Sequence, residues 1–68
     1  MDDVRRRLAL NLQKLRRAKG MSQEAFADHA GIARTYISDL ERAARNPTIE
    51  VVERIARALD VKMGELLD

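Results

Sequence analysis

The apolar positions near the start of the chain recur with the period of an α-helix. Intervals of four, four and three residues separate Val4, Leu8, Leu12 and Leu15. This spacing puts one side of a helix against a core, and we predict a first helix over residues 3–19. Asp2 and Asp3 suit the positive end of its dipole. Gly20 suits the position just after the helix, where a residue in the left-handed conformation often ends it.

Polar caps and a glycine turn divide the next stretch into two short helices. Ser22 is a suitable N-cap for a second helix that runs to about His29. Residues 30–32, with a glycine at their centre, are expected to form a tight turn. A third helix is predicted from about Arg34 to Arg42. Two helices joined by so short a turn form the helix-turn-helix unit.

The last third of the chain is predicted to hold two more helices. Asn46-Pro47 breaks the chain, and Thr48 caps a fourth helix over residues 49–59. Its apolar positions, expected to face inward, are Ile49, Val52, Ile55, Ala56 and Leu59. A fifth, short helix covers about residues 62–67. We therefore expect an all-α protein, a compact five-helix bundle that forms one domain over residues 1–68.

The third helix carries more polar surface than packing alone requires. Ile37 and Leu40 define its buried edge, because successive residues are turned by about 100° around a helix. The opposite edge carries side-chain types that pair with base edges in the major groove, such as arginine with guanine and aspartate with cytosine. The candidate base-reading residues are Arg34, Thr35, Ser38 and Asp39. The alternative is an ordinary solvated face, which most surface helices have.

Charge is unevenly distributed along the chain. Residues 1–47 carry ten Lys/Arg and six Asp/Glu, whereas residues 48–68 carry three and five. The first part suits a polyanion, although a random distribution of solvated charges gives the same net charge of +2. Side chains suited to phosphate oxygens are Gln23, Tyr36, Arg45 and Asn46. Together with the helix-turn-helix pattern, these features favour double-stranded DNA as the partner.

Several other classes of protein do not fit the composition. The chain has no cysteine and one histidine, and it has no phosphate-binding loop and no metal-ligand spacing. We therefore expect no enzyme activity, no cofactor, no metal and no small-molecule ligand. No apolar run approaches the about 20 residues of a membrane span, and no signal peptide is recognisable. We expect a cytoplasmic protein without a membrane partner.

The stretch "MSQEAFADHAGIARTYISDLERAARNPTIEVVERIARALDV" resembles the λ-repressor-like (Cro/C1 or XRE) helix-turn-helix regulators. The run "RTYISDLER…RNPT" resembles more narrowly the controller proteins of restriction–modification systems, although ordinary family members carry similar runs. The resemblance implies that the third helix lies in the major groove and that the base-facing and phosphate-facing residues are those given above. It also implies an ion pair between Arg16 and Glu41.

Three positions depart from the family pattern. Ala33 stands where a Ser or Thr usually caps the third helix, so we expect that capping bond to be missing. Ala43 stands where the family often has glycine, which leaves open either a longer third helix or a different turn. Lys62 stands where a serine often begins the last helix.

A dimer is expected because one such module reads too few base pairs to find a genomic site. The apolar stripe of the fourth helix is wider than one core contact needs. The predicted dimer contact consists of Val51, Val61, Met63 and Leu66. The alternative is that these residues only close a small core, but the resemblance also implies pairing through the C-terminal helices.

The leading hypothesis is a transcriptional regulator that binds a pseudo-palindromic operator as a homodimer. The alternative hypothesis is an antitoxin-type or other protein-interaction module that also binds DNA.

Overall fold

The computed structural model describes residues 3–68. These residues form α1 (Val4–Ala18), α2 (Gln23–Ala30), α3 (Arg34–Glu41), α4 (Ile49–Leu59) and α5 (Met63–Leu67). No strand occurs within residues 3–68, and the predicted all-α five-helix fold is confirmed. The role predicted for Asp2 concerns a residue outside the described part of the chain.

A single apolar cluster joins all five helices. Its large, fully buried members are Leu12, Phe26, Ile37, Leu40, Ile55, Leu59 and Leu66. Each such side chain stabilises the fold by roughly 1.5–3 kcal/mol when it leaves water. Helices α2 and α3 have only eight residues each, and helices shorter than about 12 residues are marginal in isolation. The shared core therefore holds them in place.

Local capping bonds set where most of the helices begin. The carboxylate of Asp3 accepts a hydrogen bond from the Arg5 amide at 2.8 Å. Ser22 Oγ accepts from the Ala25 amide at 3.0 Å, and Thr48 Oγ1 accepts from the Val51 amide at 3.2 Å. The predicted caps at Ser22 and Thr48 are confirmed, and α3 begins without a side-chain cap at Ala33.

Glycine ends the first helix as predicted. Gly20 follows α1 with φ +69°, in the left-handed region where glycine has no steric penalty. The Met21 amide then donates to the Arg16 carbonyl at 3.3 Å. This bond satisfies one of the last carbonyls of α1.

Two predictions for the C-terminal helices are wrong. Ile49 was expected to face inward, but its side chain is 72% exposed. It is the first residue of α4, and the buried residues of this helix begin at Val52. Leu66 was expected at a dimer surface, but it is 0% exposed because it fills the core from α5.

Side chains of α1 hold the end of α5. Arg7 Nε donates to the Leu67 carbonyl at 2.9 Å, and Asn11 Nδ2 donates to the Leu66 carbonyl at 2.9 Å. These bonds satisfy carbonyls that a helix of five residues leaves without intrahelical partners. They fix the burial of Leu66 against α1. Within residues 3–68, no helix has the length and apolar character needed to cross a membrane.

Candidate nucleic-acid interface

Helices α2 and α3 are joined by the three residues 31–33. Gly31 adopts φ +69°, and its amide donates to the Asp28 carbonyl at 3.3 Å. The Ile32 amide donates to the Ala27 carbonyl at 3.0 Å, which closes the end of α2. Because α2 includes Ala30, the turn lies one residue later than predicted. The chain then reverses tightly enough to pack α3 across α2.

Helix α3 packs through one narrow edge. Ile37 and Leu40 are 0% and 1% exposed, so the predicted buried edge is confirmed. Arg34 and Thr35 are exposed at the start of the helix, while Ser38 and Asp39 are half-buried further along it.

The four candidate base-reading residues therefore lie outside the core. Among residues 3–68, the Arg34 side chain has neither a hydrogen bond nor an ion pair, which leaves its guanidinium donors available to a ligand.

A buried ion pair fixes α3 against α1. Arg16 Nε lies 2.6 Å from Glu41 Oε2, and Arg16 Nη2 lies 2.9 Å from Glu41 Oε1. The two side chains are only 8% and 4% exposed. The hydrogen bonds to Glu41 raise the pKa of the Arg16 guanidinium above its ordinary value, against the opposing effect of burial. Such two-pronged pairing sets orientation as well as distance.

Two glutamines complete the hydrogen bonding of Glu41. Gln13 Nε2 donates to the Glu41 carbonyl at 2.8 Å, and Gln23 Nε2 donates to Glu41 Oε1 at 3.1 Å. Gln23, expected to face phosphate, is thus bound to the buried carboxylate here. Neither glutamine contact has a signal in the local sequence, because the partners lie on different helices. Glu41 consequently connects α1, the start of α2 and the end of α3.

A second charged cluster surrounds Asp39. Its Oδ1 accepts a hydrogen bond from Arg42 Nη2, and its Oδ2 lies 3.2 Å from Arg45 Nη2. The guanidinium carbon of Arg45 lies 4.3 Å from the centre of the Tyr36 ring. The sequence predictions assigned Asp39 to bases, and Tyr36 and Arg45 to phosphates. The structure brings all three together, whereas Asn46 is exposed in the following loop.

The end of α3 forms a compact turn without glycine. The Ala43 amide donates to the Leu40 carbonyl at 3.1 Å, and the Ala44 amide donates to the Asp39 carbonyl at 2.9 Å. This is the Schellman pattern, and it places Ala43 at φ +56° in the left-handed region. The sequence left open either a longer third helix or a different turn at Ala43. The structure has the turn, because α3 stops at Glu41 and Ala43 adopts the strained left-handed conformation.

The remaining residues predicted at a dimer surface lie on α4, at the first residue of α5 and in the segment between these helices. Val51, Val61 and Met63 are half-buried and pack against the edge of the core. They retain partial exposure, unlike Leu66. The apolar surface on this side of the bundle therefore extends to solvent.

These features define a helix-turn-helix domain. Its unit consists of α2 and α3, and α3 has polar residues exposed for contact. The family model described as "Helix-turn-helix" (HTH_3) matches residues 12–66. The chain belongs to this family, and the resemblance stated from the sequence is confirmed.

Named relatives include control proteins. The control protein C.BamHI of Bacillus amyloliquefaciens is 38% identical over 68 residues, which cover 98% of this chain and 84% of that protein. The hypothetical transcription factor NHTF from Neisseria has a solved structure with a TM-score of 0.94 and 41% identity. That match covers 97% of this chain and 76% of NHTF.

One solved structure also contains DNA. It is the tetramer of the restriction–modification controller protein C.Esp1396I in complex with its natural 35-base-pair operator. Its chain is 33% identical to this one, with a TM-score of 0.84 and full coverage of both chains.

Proposed function

We propose that this chain is a sequence-specific transcriptional regulator that binds double-stranded DNA with α3 in the major groove. The observation that carries the proposal is the exposure of Arg34 and Thr35 at the start of α3, directly after the three-residue turn. In helix-turn-helix proteins, the first residues of the second helix contact base edges. The anchoring of Ile37 and Leu40 in the core holds that end of α3 outward.

The residues divide into two roles. Arg34, Thr35 and Ser38 read base edges, and Asp39 is the fourth candidate for this role. The residues proposed to bind phosphates are Gln23, Tyr36, Arg45 and Asn46. Gln23 Nε2 has two N–H donors, so one can bind a phosphate while the other bonds to Glu41. The Arg16–Glu41 pair touches no DNA in this proposal and sets the angle of α3.

A homodimer supplies the second half of the binding site. We place the contact at Val51 on α4, Met63 on α5 and Val61 between the two helices, because these apolar residues remain partly exposed. Two copies related by a twofold axis would read inverted half-sites about 34–36 Å apart. The operator is then pseudo-palindromic.

The regulated target is proposed to be a restriction–modification system. This proposal is supported by the similarity to the control protein C.BamHI and to the controller protein C.Esp1396I. The similar proteins named here are regulators, and we propose that this chain likewise has no catalytic activity. We also propose a cytoplasmic location, as expected of a regulator that binds DNA.

Selection from a pool of random DNA duplexes tests the proposal. We expect enrichment of one sequence with two inverted half-sites, followed by a mobility shift that unrelated DNA does not compete away. Substitution Arg34→Ala should weaken binding of the dimer to the selected duplex at least about 30-fold, because each bidentate arginine–guanine pair supplies about 1–3 kcal/mol of discrimination and the dimer loses two. Arg57→Ala is the matched control, since Arg57 lies exposed on α4.

Two results would contradict the proposal. Unrelated DNA that competes as well as the selected duplex would refute sequence-specific reading. If Arg34→Ala and the wild type have equal affinity and equal base preference, Arg34 and its neighbours on α3 are not the base-reading residues.

A further inference from the structure

Asp39 is already engaged by two arginines of its own chain. Arg42 and Arg45 each donate to a different oxygen of its carboxylate. The side chain is 26% exposed, less than that of either arginine, at 64% and 44%. Both carboxylate oxygens are therefore engaged, and the Asp39 side chain is less exposed to solvent than the two arginines that neutralise it.

The position of Asp39 in α3 also argues against base reading. It is the sixth of eight helical residues, whereas base contacts in helix-turn-helix units come from the N-terminal residues of this helix. A carboxylate that enters the groove without a cation is repelled by the phosphates on both sides. Reading a cytosine amino group would require Asp39 to give up or share the arginines that neutralise it.

The Asp39 cluster instead holds Arg45 in one place. The guanidinium carbon of Arg45 lies over the Tyr36 ring, 4.3 Å from its centre, and Nη2 bonds to Asp39 at 3.2 Å. Arginine has five N–H donors, so several remain available on the other edges. Arg45 follows α3 in a loop, where an untethered long side chain samples many rotamers. The two contacts confine it beside the outer surface of α3.

We propose that Asp39 is a positioning residue rather than a base reader. Its carboxylate orients Arg45 against Tyr36, so that the Arg45 guanidinium and the Tyr36 hydroxyl bind the same DNA phosphate. This inference rests on the proposed DNA-binding function.

The substitution Asp39→Asn separates the two roles because it keeps the shape and removes the charge. The slope of log affinity against log salt is negative, and on a random-sequence duplex the loss of one phosphate contact per protomer makes it less steep by about 0.9, or by about 1.8 for a dimer. Between 50 and 200 mM salt, the affinity of the variant dimer should then fall about 12-fold less than that of the wild type. Arg45→Ala should change the slope equally, and the double variant should change it no further.

A measurement without DNA tests the positioning itself. Tyr36 is the sole tyrosine, and the chain has no tryptophan, so tyrosine fluorescence and near-ultraviolet circular dichroism report on this cluster. Asp39→Asn should change the Tyr36 signal in the same direction as Arg45→Ala. Glu53→Gln is the matched control, because Glu53 forms an exposed pair with Arg57 on α4 and should change neither readout.

Three outcomes would overturn the inference. If the slope of log affinity against log salt is unchanged or steeper in Asp39→Asn, the substitution has only removed a charge that repels DNA. A changed base preference at one operator position with an unchanged slope would identify Asp39 as a base reader. A Tyr36 signal that responds to Arg45→Ala but not to Asp39→Asn would show that Asp39 does not hold Arg45. If the wild type binds no duplex, the proposed function itself fails, whereas the Tyr36 readout remains measurable.

Discussion

Replacing Glu41 with alanine leaves the Arg16 guanidinium buried without its counter-charge. In the native structure, two nitrogens of Arg16 bond to the carboxylate at 2.6 and 2.9 Å, and Gln23 adds a bond at 3.1 Å. The side chains of the pair are only 8% and 4% exposed, so water cannot readily replace these contacts. Removing one member of a buried ion pair destabilises a protein by about 3–5 kcal/mol.

This loss is large for so small a domain. A 68-residue chain has an expected free energy of unfolding of roughly 3–10 kcal/mol. Glu41→Ala should therefore remove about 30% or more of the free energy of unfolding. Urea unfolding followed by the helical circular dichroism signal measures the difference.

Two further variants identify the cause of the loss. Glu53→Ala removes a carboxylate from an exposed pair, in which Glu53 and Arg57 are 58% and 80% exposed at 3.9 Å, and should cost less than about 1 kcal/mol. The double variant Arg16→Met, Glu41→Leu should recover much of the stability, because it leaves no unpaired buried charge.

Two results would refute this reasoning. A loss in Glu41→Ala no larger than that in Glu53→Ala would mean that the Arg16–Glu41 pair behaves as a solvated one. A double variant as unstable as Glu41→Ala would mean that the cost comes from lost packing or lost hydrogen bonds, not from the uncompensated charge.

Three smaller effects follow from the helix ends. Ala43→Gly should raise the free energy of unfolding by about 1 kcal/mol in urea titrations, because glycine adopts the left-handed φ of +56° without strain; a loss would contradict the strain. Ala33→Ser should add about 1 kcal/mol by capping α3, and an unchanged urea midpoint would count against an uncapped α3. Hydrogen bonds from Arg5 lower the pKa of Asp3 below 3.8. Its stabilising effect is thus present above about pH 4 and lost as pH falls through the lowered pKa. Melting temperatures of wild type and Asp3→Ala should differ near neutral pH and converge in acid; a gap that persists in acid would contradict this.

The sequence by itself determined the helices and most of their ends. The caps at Ser22 and Thr48 and the glycine after α1 act on backbone groups within four residues of themselves, so their effect can be predicted locally. The same holds for the buried edge of α3, because Ile37 and Leu40 follow the helical period. The missing cap at Ala33 was likewise evident from the residue type alone.

Only the tertiary structure decided which polar residues meet. Arg16 and Glu41 are 25 residues apart, and their pairing was implied by family resemblance, not by any local pattern. The bond from Gln23 to Glu41 and the placement of Arg45 between Asp39 and Tyr36 depend on how α1, α2 and the loop after α3 pack against one another. Periodicity also failed for Ile49 and Leu66, because it gives the direction of a side chain on its helix. It does not say whether another helix covers that direction.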